Sequence, residues 1–173
     1  MNKFINAVGF QAGWWACIAS VGRGLEIEAL VFCVLLISAH LHFSGSPLQE
    51  LKLGAIALLI GVVLDSLLQS FSVIAFYGWA LGPLSPFWLW ALWVLFGLTL
   101  NSSLAFLKTQ SPLITATLGL FFGPITYYAG AKLGAAGLNA SPFHILSLAL
   151  VWMLAMPLLV TAAKQTSHSP KDN

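Results

Sequence analysis

One acidic residue, Asp65, lies within one of the most apolar parts of the chain, LLIGVVLDSLLQSFSV at residues 58–73. A carboxylate at the centre of a bilayer costs about 2.5–3.5 kcal/mol, so we expect Asp65 to point into the protein and to carry a proton. Gln69 lies four residues later and Ser72 three further, so the three side chains share one face of a helix. Such an acid is typical of a proton-transfer or ligand-binding group, and also of a structural hydrogen bond between helices.

Polar and aromatic residues on other apolar segments are predicted partners of Asp65. Asn6 belongs to a stripe of small and polar residues, and Gln11 adds an amide to the same segment. A pair of adjacent tryptophans in that segment suits an internal wall, and a tyrosine follows the in-segment Pro124. We therefore predict a ligand-binding site at these residues: Asp65, Gln69, Asn101, Asn6, Gln11, Trp14, Trp15 and Tyr127.

Motifs of the common enzyme classes are absent from the sequence. It contains no Walker loop, nucleophile elbow or zincin motif. His40 and His42 form an H-x-H pair with no third ligand at suitable spacing, so we predict no metal site and no cofactor. Cys17 and Cys33 fall within apolar runs and are predicted to be inert buried thiols. No residue is therefore assigned as catalytic, and whether the protein is an enzyme stays open.

Composition indicates a chain that is solvated by lipid. Of 173 residues, 59% are hydrophobic and 7% are charged, whereas about a quarter of the residues of a soluble domain are charged. A soluble chain of this size could not bury so much apolar surface. The net charge of +2, spread over seven basic residues, forms no patch for nucleic acid. Membrane lipids are the predicted surroundings and partners.

The apolar segments have the lengths of transmembrane helices. A hydrocarbon core about 30 Å thick needs about 20 apolar residues per helix. Polar and Gly/Pro-rich breaks then divide residues 1–163 into six spans, and residues 164–173 form a polar cytoplasmic tail. The sequence predicts an all-α polytopic membrane protein, a six-transmembrane-helix bundle with spans near residues 4–21, 25–43, 53–76, 86–107, 112–133 and 142–163.

Basic residues predict the orientation of these spans. The side of the membrane that is richer in Lys and Arg is normally the cytoplasmic side. Five basic residues fall on one side and two on the other: Lys3, Lys52, Lys108, Lys164 and Lys171 against Arg23 and Lys132. Both termini are therefore predicted to be cytoplasmic.

Glycines form two helix faces that are suited to close packing. Gly9 and Gly13 lie on span one, and Gly119, Gly123 and Gly130 lie on span five beside Tyr127. Small residues at these spacings let another helix approach closely. The neighbour is either another span of the same chain or a second protein, so a homo- or hetero-oligomer through these faces is one prediction.

The order of several motifs resembles a known group of proteins. An N-x-x-x-x-Q-x-x-W-W pattern at residues 6–15 precedes Asp65, and the segments PFWLWALWVLFGLTLNSSL and FFGPITYYAGAKLGA follow it. Together they resemble an uncharacterised family of small Trp-rich bacterial inner-membrane proteins, a domain of unknown function, over nearly the whole chain. The resemblance implies no activity and no catalytic residue. It implies a membrane-lipid context.

Three hypotheses for function remain at this point. The first is a membrane protein that binds or helps process a lipid-like or apolar molecule through an intramembrane site centred on Asp65. The second is a small proton-coupled transporter, in which Asp65 changes its protonation as access alternates. The third is a non-catalytic scaffold subunit of a membrane complex, which contacts its partner through the glycine faces.

Overall fold

The computed structural model describes residues 2–139 and 141–167. The predicted cytoplasmic tail lies outside the described residues from position 168 onward, and Lys171 with it. Within the described part, six α-helices follow one another along the chain: α1 Lys3–Ser20, α2 Glu26–His42, α3 Pro47–Ser70, α4 Phe87–Thr99, α5 Pro112–Lys132 and α6 Pro142–Ser167. A 3₁₀ helix at Ala105–Thr109 and two short strands, β1 Ala75–Phe76 and β2 Ala136–Gly137, complete the fold.

Three of the described helices are long and apolar enough to cross a membrane, namely α3, α5 and α6. The helix α4 is also apolar but has only 13 residues. The predicted all-α class is confirmed, and the three long helices indicate a membrane protein.

The helix α3 begins and ends six residues earlier than the predicted span 53–76. Its first turn carries Pro47, whose fixed φ suits the first position of a helix, and it continues through the polar residues before Leu53. A span that is chosen by hydropathy and length excludes those polar residues. At the other end Ser72 has a φ of 56°, a left-handed conformation that ends the helix and places Ser72 off the Asp65 face.

The helix α4 also differs from the predicted span, which runs over residues 86–107. It stops at Thr99, and the chain turns before the 3₁₀ helix. The turn contains Asn101, Ser102 and Ser103, short polar residues that compete with the helical backbone for hydrogen bonds.

Contacts between the connections define two ends of the molecule. At the first, the strand end, β1 pairs antiparallel with β2, and Glu26 Oε2 accepts a hydrogen bond of 2.8 Å from the backbone N–H of Trp79. At the second, the terminal end, Ser103 Oγ donates to Asn6 Oδ1 at 2.6 Å, and Lys108 Nζ donates to Ser167 Oγ at 2.9 Å. Successive helices therefore run in alternate directions between the two ends.

Pairwise packing leaves a gap between α1 and α5. The helix α1 packs on α2 and α4, α3 packs on α4 and α6, and α5 packs on α6. The helices α1 and α5 approach each other near Ile18 and Gly130, where a Cβ on the glycine would lie 3.4 Å from Ile18 Cδ1. Elsewhere along their length a cavity separates them.

Glycines set the closest approaches within this packing. A Cβ at Gly61 on α3 would overlap the indole of Trp93 on α4, and one at Gly97 would lie 2.8 Å from Ala57 Cβ. On α5, a Cβ at Gly119 or Gly123 would overlap Trp152 of α6. Gly61 and Gly123 therefore let large indoles lie directly on a neighbouring backbone, and Gly97 and Gly119 let two helix backbones approach closely.

We predict opposite effects for two Gly→Ala substitutions within helices. Gly61→Ala forces Trp93 off α3, and overpacking of this kind costs about 1–3 kcal/mol. Gly9→Ala meets only Leu36 Cδ2 at 3.8 Å, so the helix propensity of alanine raises stability or leaves it unchanged. Unfolding followed by circular dichroism in detergent checks both variants. Equal stability of Gly61→Ala and the wild type would contradict the predicted overlap.

Candidate functional site

Asp65 lies fully buried on α3, between α4 and α5. Trp93 Nε1 donates a hydrogen bond of 2.7 Å to Asp65 Oδ2, and the hydroxyl of Tyr127 donates to Asp65 Oδ1. Both donors are neutral, and no cation in the described part of the chain forms an ion pair with Asp65. One carboxyl group thus joins three helices by two hydrogen bonds in a water-poor interior, where such bonds are strong and their loss is costly.

Aromatic rings surround this carboxyl group. The indoles of Trp93 and Trp152 stack with ring centroids 5.1 Å apart and an interplanar angle of 13°. Tyr127 meets Trp152 edge to face at 5.9 Å, and Phe96 packs against both indoles at 6.1 Å or less. These geometries fall within the favourable range for aromatic pairs. Asp65 therefore fixes the positions of two members of a larger aromatic cluster.

A cavity of about 590 Å³ lies beside this cluster, between α1 and α5. Its volume lies within the range of small-molecule binding pockets, which is about 300–1,000 Å³. Aromatic and aliphatic side chains form its walls, and none of its lining residues is charged. The aromatic lining residues are Phe10, Trp14, Phe76, Trp88, Trp93, Phe96, Phe106, Phe122, Tyr127 and Trp152.

Asp65 itself does not line the cavity. Trp93 and Tyr127 do, and they separate the carboxyl group from the cavity. A molecule in the cavity would touch the indole and the phenol, so Asp65 acts on it through their positions. Among the described residues, Tyr127 is the only one whose oxygen contacts the Asp65 carboxyl group and whose side chain lines the cavity. A proton that moves from Asp65 to the cavity would therefore pass by the Tyr127 hydroxyl.

The predicted residues of span one differ in their positions relative to the cavity. Gln11 and Trp14 line the cavity, three residues apart on one side of α1. Trp15 points away from it and is 52% exposed, with its ring packed edge to face on Trp14 at 5.1 Å. Asn6 lies one turn or more from the cavity, toward the terminal end.

Gln69 has a local role at the end of α3. Its Oε1 accepts a hydrogen bond of 3.2 Å from the backbone N–H of Phe76 in β1. The side chain therefore holds the strand end against α3, four residues from Asp65 but not bonded to it.

Asn6 belongs to a second polar cluster, at the terminal end. Its Oδ1 accepts from the backbone N–H and the hydroxyl of Ser103, and its Nδ2 lies 3.3 Å from His40 Nδ1. His40 Nε2 lies 3.4 Å from Glu50 Oε2, an ion-pair distance without hydrogen-bond alignment. Asn6, His40 and Glu50 are all buried, so this cluster ties α1, α2 and α3 together.

Asn101 completes the second cluster rather than joining Asp65. Its Oδ1 accepts from Lys108 Nζ at 2.9 Å and from Ser167 Oγ at 3.0 Å, and its Nδ2 lies 3.5 Å from Glu50 Oε2. Burial lowers the pKa of Lys108, and the negative charge of Glu50 opposes that shift. The polar atoms of Asn101 bond within the protein, which is typical of a structural cluster.

Two tryptophans at the centre of the site were not predicted as site residues. Trp93 and Trp152 are absent from the residues predicted to form the site. A usable signal was present for both, because each faces glycines on the neighbouring helix and a glycine in an apolar helix often marks a close contact.

The predicted glycine faces pack within this chain at several positions. Gly13 faces Leu95 of α4 and Leu36 of α2, and Gly119 and Gly123 face Trp152 of α6. In the described residues, no three His, Cys, Asp or Glu side chains lie together as metal ligands would. The Cys17 and Cys33 thiols are buried, with their sulfur atoms 3.4 Å apart.

Comparison with known proteins gave one match. The family described as "Protein of unknown function (DUF2878)" matches residues 3–158. No curated protein and no solved structure matches the chain.

We predict that the two hydrogen bonds to Asp65 are energetically coupled. Asp65→Leu leaves the Trp93 N–H and the Tyr127 O–H without an acceptor, at about 1–3 kcal/mol for each buried donor. In a Tyr127→Phe background one of those donors is already gone, so the same substitution costs less. Unfolding free energies of the four proteins of this double-mutant cycle provide the measurement.

Asp65→Asn serves as the matched control, because asparagine keeps one acceptor oxygen. Its loss of stability is expected to be smaller than that of Asp65→Leu. An equal cost of Asp65→Leu in both backgrounds would mean that the Tyr127 hydroxyl does not depend on Asp65.

Proposed function

The chain belongs to a family of proteins of unknown function, as its motifs predicted, and we propose from its site that it binds an apolar, lipid-like molecule within the membrane. The observation that carries this proposal is the uncharged, aromatic-lined cavity between α1 and α5. If the protein also processes that molecule, the reaction would begin at Tyr127 and Asp65.

The chemistry of the lining supports an apolar occupant. A charged group in this cavity would have no oppositely charged partner in the wall, so its burial is costly. Apolar surface buried there gains about 25 cal/mol per Å². The lining therefore selects for apolar molecules and against ionic ones.

The mouth of the cavity supports entry from the lipid. The lining includes Phe106, Phe122 and Ile125, which are 55%, 62% and 60% exposed. Phe122 and Ile125 lie on α5, one of the helices that are long and apolar enough to cross a membrane. An exposed apolar rim on such a helix faces hydrocarbon, so a lipid can move sideways between α1 and α5 without crossing water.

The role proposed for Asp65 is to position the inner wall. Its two hydrogen bonds orient Trp93 and Tyr127, and the cavity shape depends on both rings. Asp65 is therefore central to the site without touching the occupant.

We place all six helices across a bacterial inner membrane, with the terminal end in the cytoplasm. The terminal end carries Lys3, Lys52, Lys108 and Lys164, whereas the strand end carries Arg23 and Lys132. The excess of positive charge favours the cytoplasm. The alternating directions of the helices support a placement of both ends of the described chain on that side.

We predict that a bulky residue in the cavity displaces bound lipid. Ala129 lines the cavity on α5, so Ala129→Trp fills part of its volume. Native mass spectrometry of the purified protein should show that the variant loses most of the lipid that co-purifies with the wild type. Ala55→Trp, on the exposed face of α3 and outside the cavity, should keep it.

The contradicting result is the same co-purified lipid, in the same amount, on the wild type and on both folded variants. Such lipid would belong to the outer surface of the protein. Absence of any lipid from the wild type, in a mild detergent and in reconstituted membranes alike, would also refute the proposal.

We predict opposite labelling at the two ends of the molecule. Arg23 and Thr109 are both exposed, at the strand end and at the terminal end. In intact cells a membrane-impermeant maleimide should label Arg23→Cys and leave Thr109→Cys unlabelled until the cells are opened. The native cysteines are buried and give little background. Labelling of both variants from outside would disprove the orientation.

A further inference from the structure

We propose that the occupant of the cavity is a neutral lipid with a flat conjugated ring and a carbonyl oxygen, and that Gln11 donates a hydrogen bond to that oxygen. This inference rests on the proposed function and specifies the ligand of the same site. It follows from three properties of the cavity wall: its polar groups, its rings and its lack of charge.

Gln11 is a polar group of the wall without a protein partner. It lies in the middle of α1 with an exposed side chain, and its amide makes no hydrogen bond to any described residue. On the six-span topology that amide lies at the depth of the hydrocarbon, where an unsatisfied polar group costs several kcal/mol. A hydrogen-bonding ligand in the cavity would satisfy it.

The free polar groups on the α1 side of the wall include three N–H donors and one acceptor oxygen. The Gln11 amide supplies two of the donors and the oxygen, and the indole N–H of Trp14, three residues away, also has no acceptor among the described residues. Several other donors of the wall are engaged: Trp93 and Tyr127 donate to Asp65, and Trp88 donates to the backbone oxygen of Tyr77. The free N–H groups of Gln11 and Trp14 favour a ligand that presents acceptor oxygens.

Aromatic rings from several helices belong to the same wall. Trp93 and Trp152 stack, Tyr127 meets Trp152 edge to face, and Phe10 of α1 packs on Phe96 of α4. A flat conjugated ring gains stacking or edge contacts with such a wall in addition to its burial, whereas a saturated chain gains the burial alone.

The absence of charge in the wall excludes the common ionic lipids as ligands. A phosphate or carboxylate would meet no Lys, Arg or His among the lining residues. A neutral carbonyl on a conjugated ring, as in a quinone that carries an alkyl or prenyl chain, satisfies the donors, the rings and the uncharged wall together.

Three probes with similar alkyl chains separate these properties. A decyl-substituted benzoquinone has a ring and carbonyl oxygens, decylbenzene has the ring alone, and methyl undecanoate has a carbonyl without a ring. Binding of each to the purified full-length protein is measured by native mass spectrometry and by displacement of co-purified lipid. The benzoquinone should bind most tightly of the three.

Matched variants test the contact of Gln11. Gln11→Met keeps the length of the side chain and removes the donor, so it should weaken benzoquinone binding about tenfold, as expected for one hydrogen bond, and leave decylbenzene unchanged. Gln49→Met, on α3 and outside the cavity, should alter neither. Similarly, Trp14→Leu should weaken benzoquinone binding, and Trp15→Leu should not.

The outcomes distinguish this inference from the proposed function. If methyl undecanoate binds as tightly as the benzoquinone and Ala129→Trp blocks it, the cavity binds lipid but the inferred ligand class is wrong. If Gln11→Met and Gln49→Met behave alike, the contact of Gln11 is wrong. If no probe binds in a manner sensitive to Ala129→Trp, the proposed function fails together with the inference.

Discussion

The buried carboxyl group of Asp65 is the constraint on which the centre of this molecule depends. A carboxyl group in a hydrocarbon-like interior is tolerated when both of its oxygens have donors, and here those donors come from two different helices, as Trp93 of α4 and Tyr127 of α5. The two side chains cannot move independently of α3 without leaving a buried polar atom unpaired. Asp65 thereby fixes the relative positions of three helices that otherwise offer each other only apolar surfaces.

The glycines and the cavity follow from this arrangement. Trp93 reaches Asp65 across α3 because Gly61 has no side chain, and Trp152 stacks on Trp93 because Gly119 and Gly123 let it lie on α5. These rings fill the space between α3, α5 and α6. As a result, α5 is separated from α1 along most of its length. The cavity is therefore the gap that remains once the aromatic cluster has been placed, and its wall has the chemistry of that cluster.

Part of this arrangement could be predicted from the sequence, because its cause is local. The apolar segments predicted helices, the cost of a charge in lipid predicted an inward Asp65, and the glycine spacing placed Tyr127 on the same face as Gly123. The pairing of helices could not be predicted in the same way. Helices that are apolar on nearly all sides carry no stripe that identifies the neighbour or the register.

Asn101 illustrates the effect of register. The helices α3 and α4 run antiparallel, with Gly61 opposite Trp93 and Gly97 opposite Ala57. This register places Asn101 beside Glu50, whereas Asp65 lies about 22 Å further along α3 at about 1.5 Å per residue. The polar residues predicted as one site therefore lie apart. Asp65 is in the centre, and Asn6 and Asn101 belong to the cluster at the terminal end.

Buried rings held by Asp65 are proposed to form the wall of a site that is open to lipid. The most direct measurement is photolabelling of the wild-type protein in its membrane with a diazirine-bearing hydrocarbon, followed by peptide mapping. We expect adducts on the buried Trp93 and Tyr127 as well as on exposed residues such as Leu59 and Phe121, and loss of the buried adducts when excess apolar ligand is present. Adducts confined to the exposed residues would contradict it.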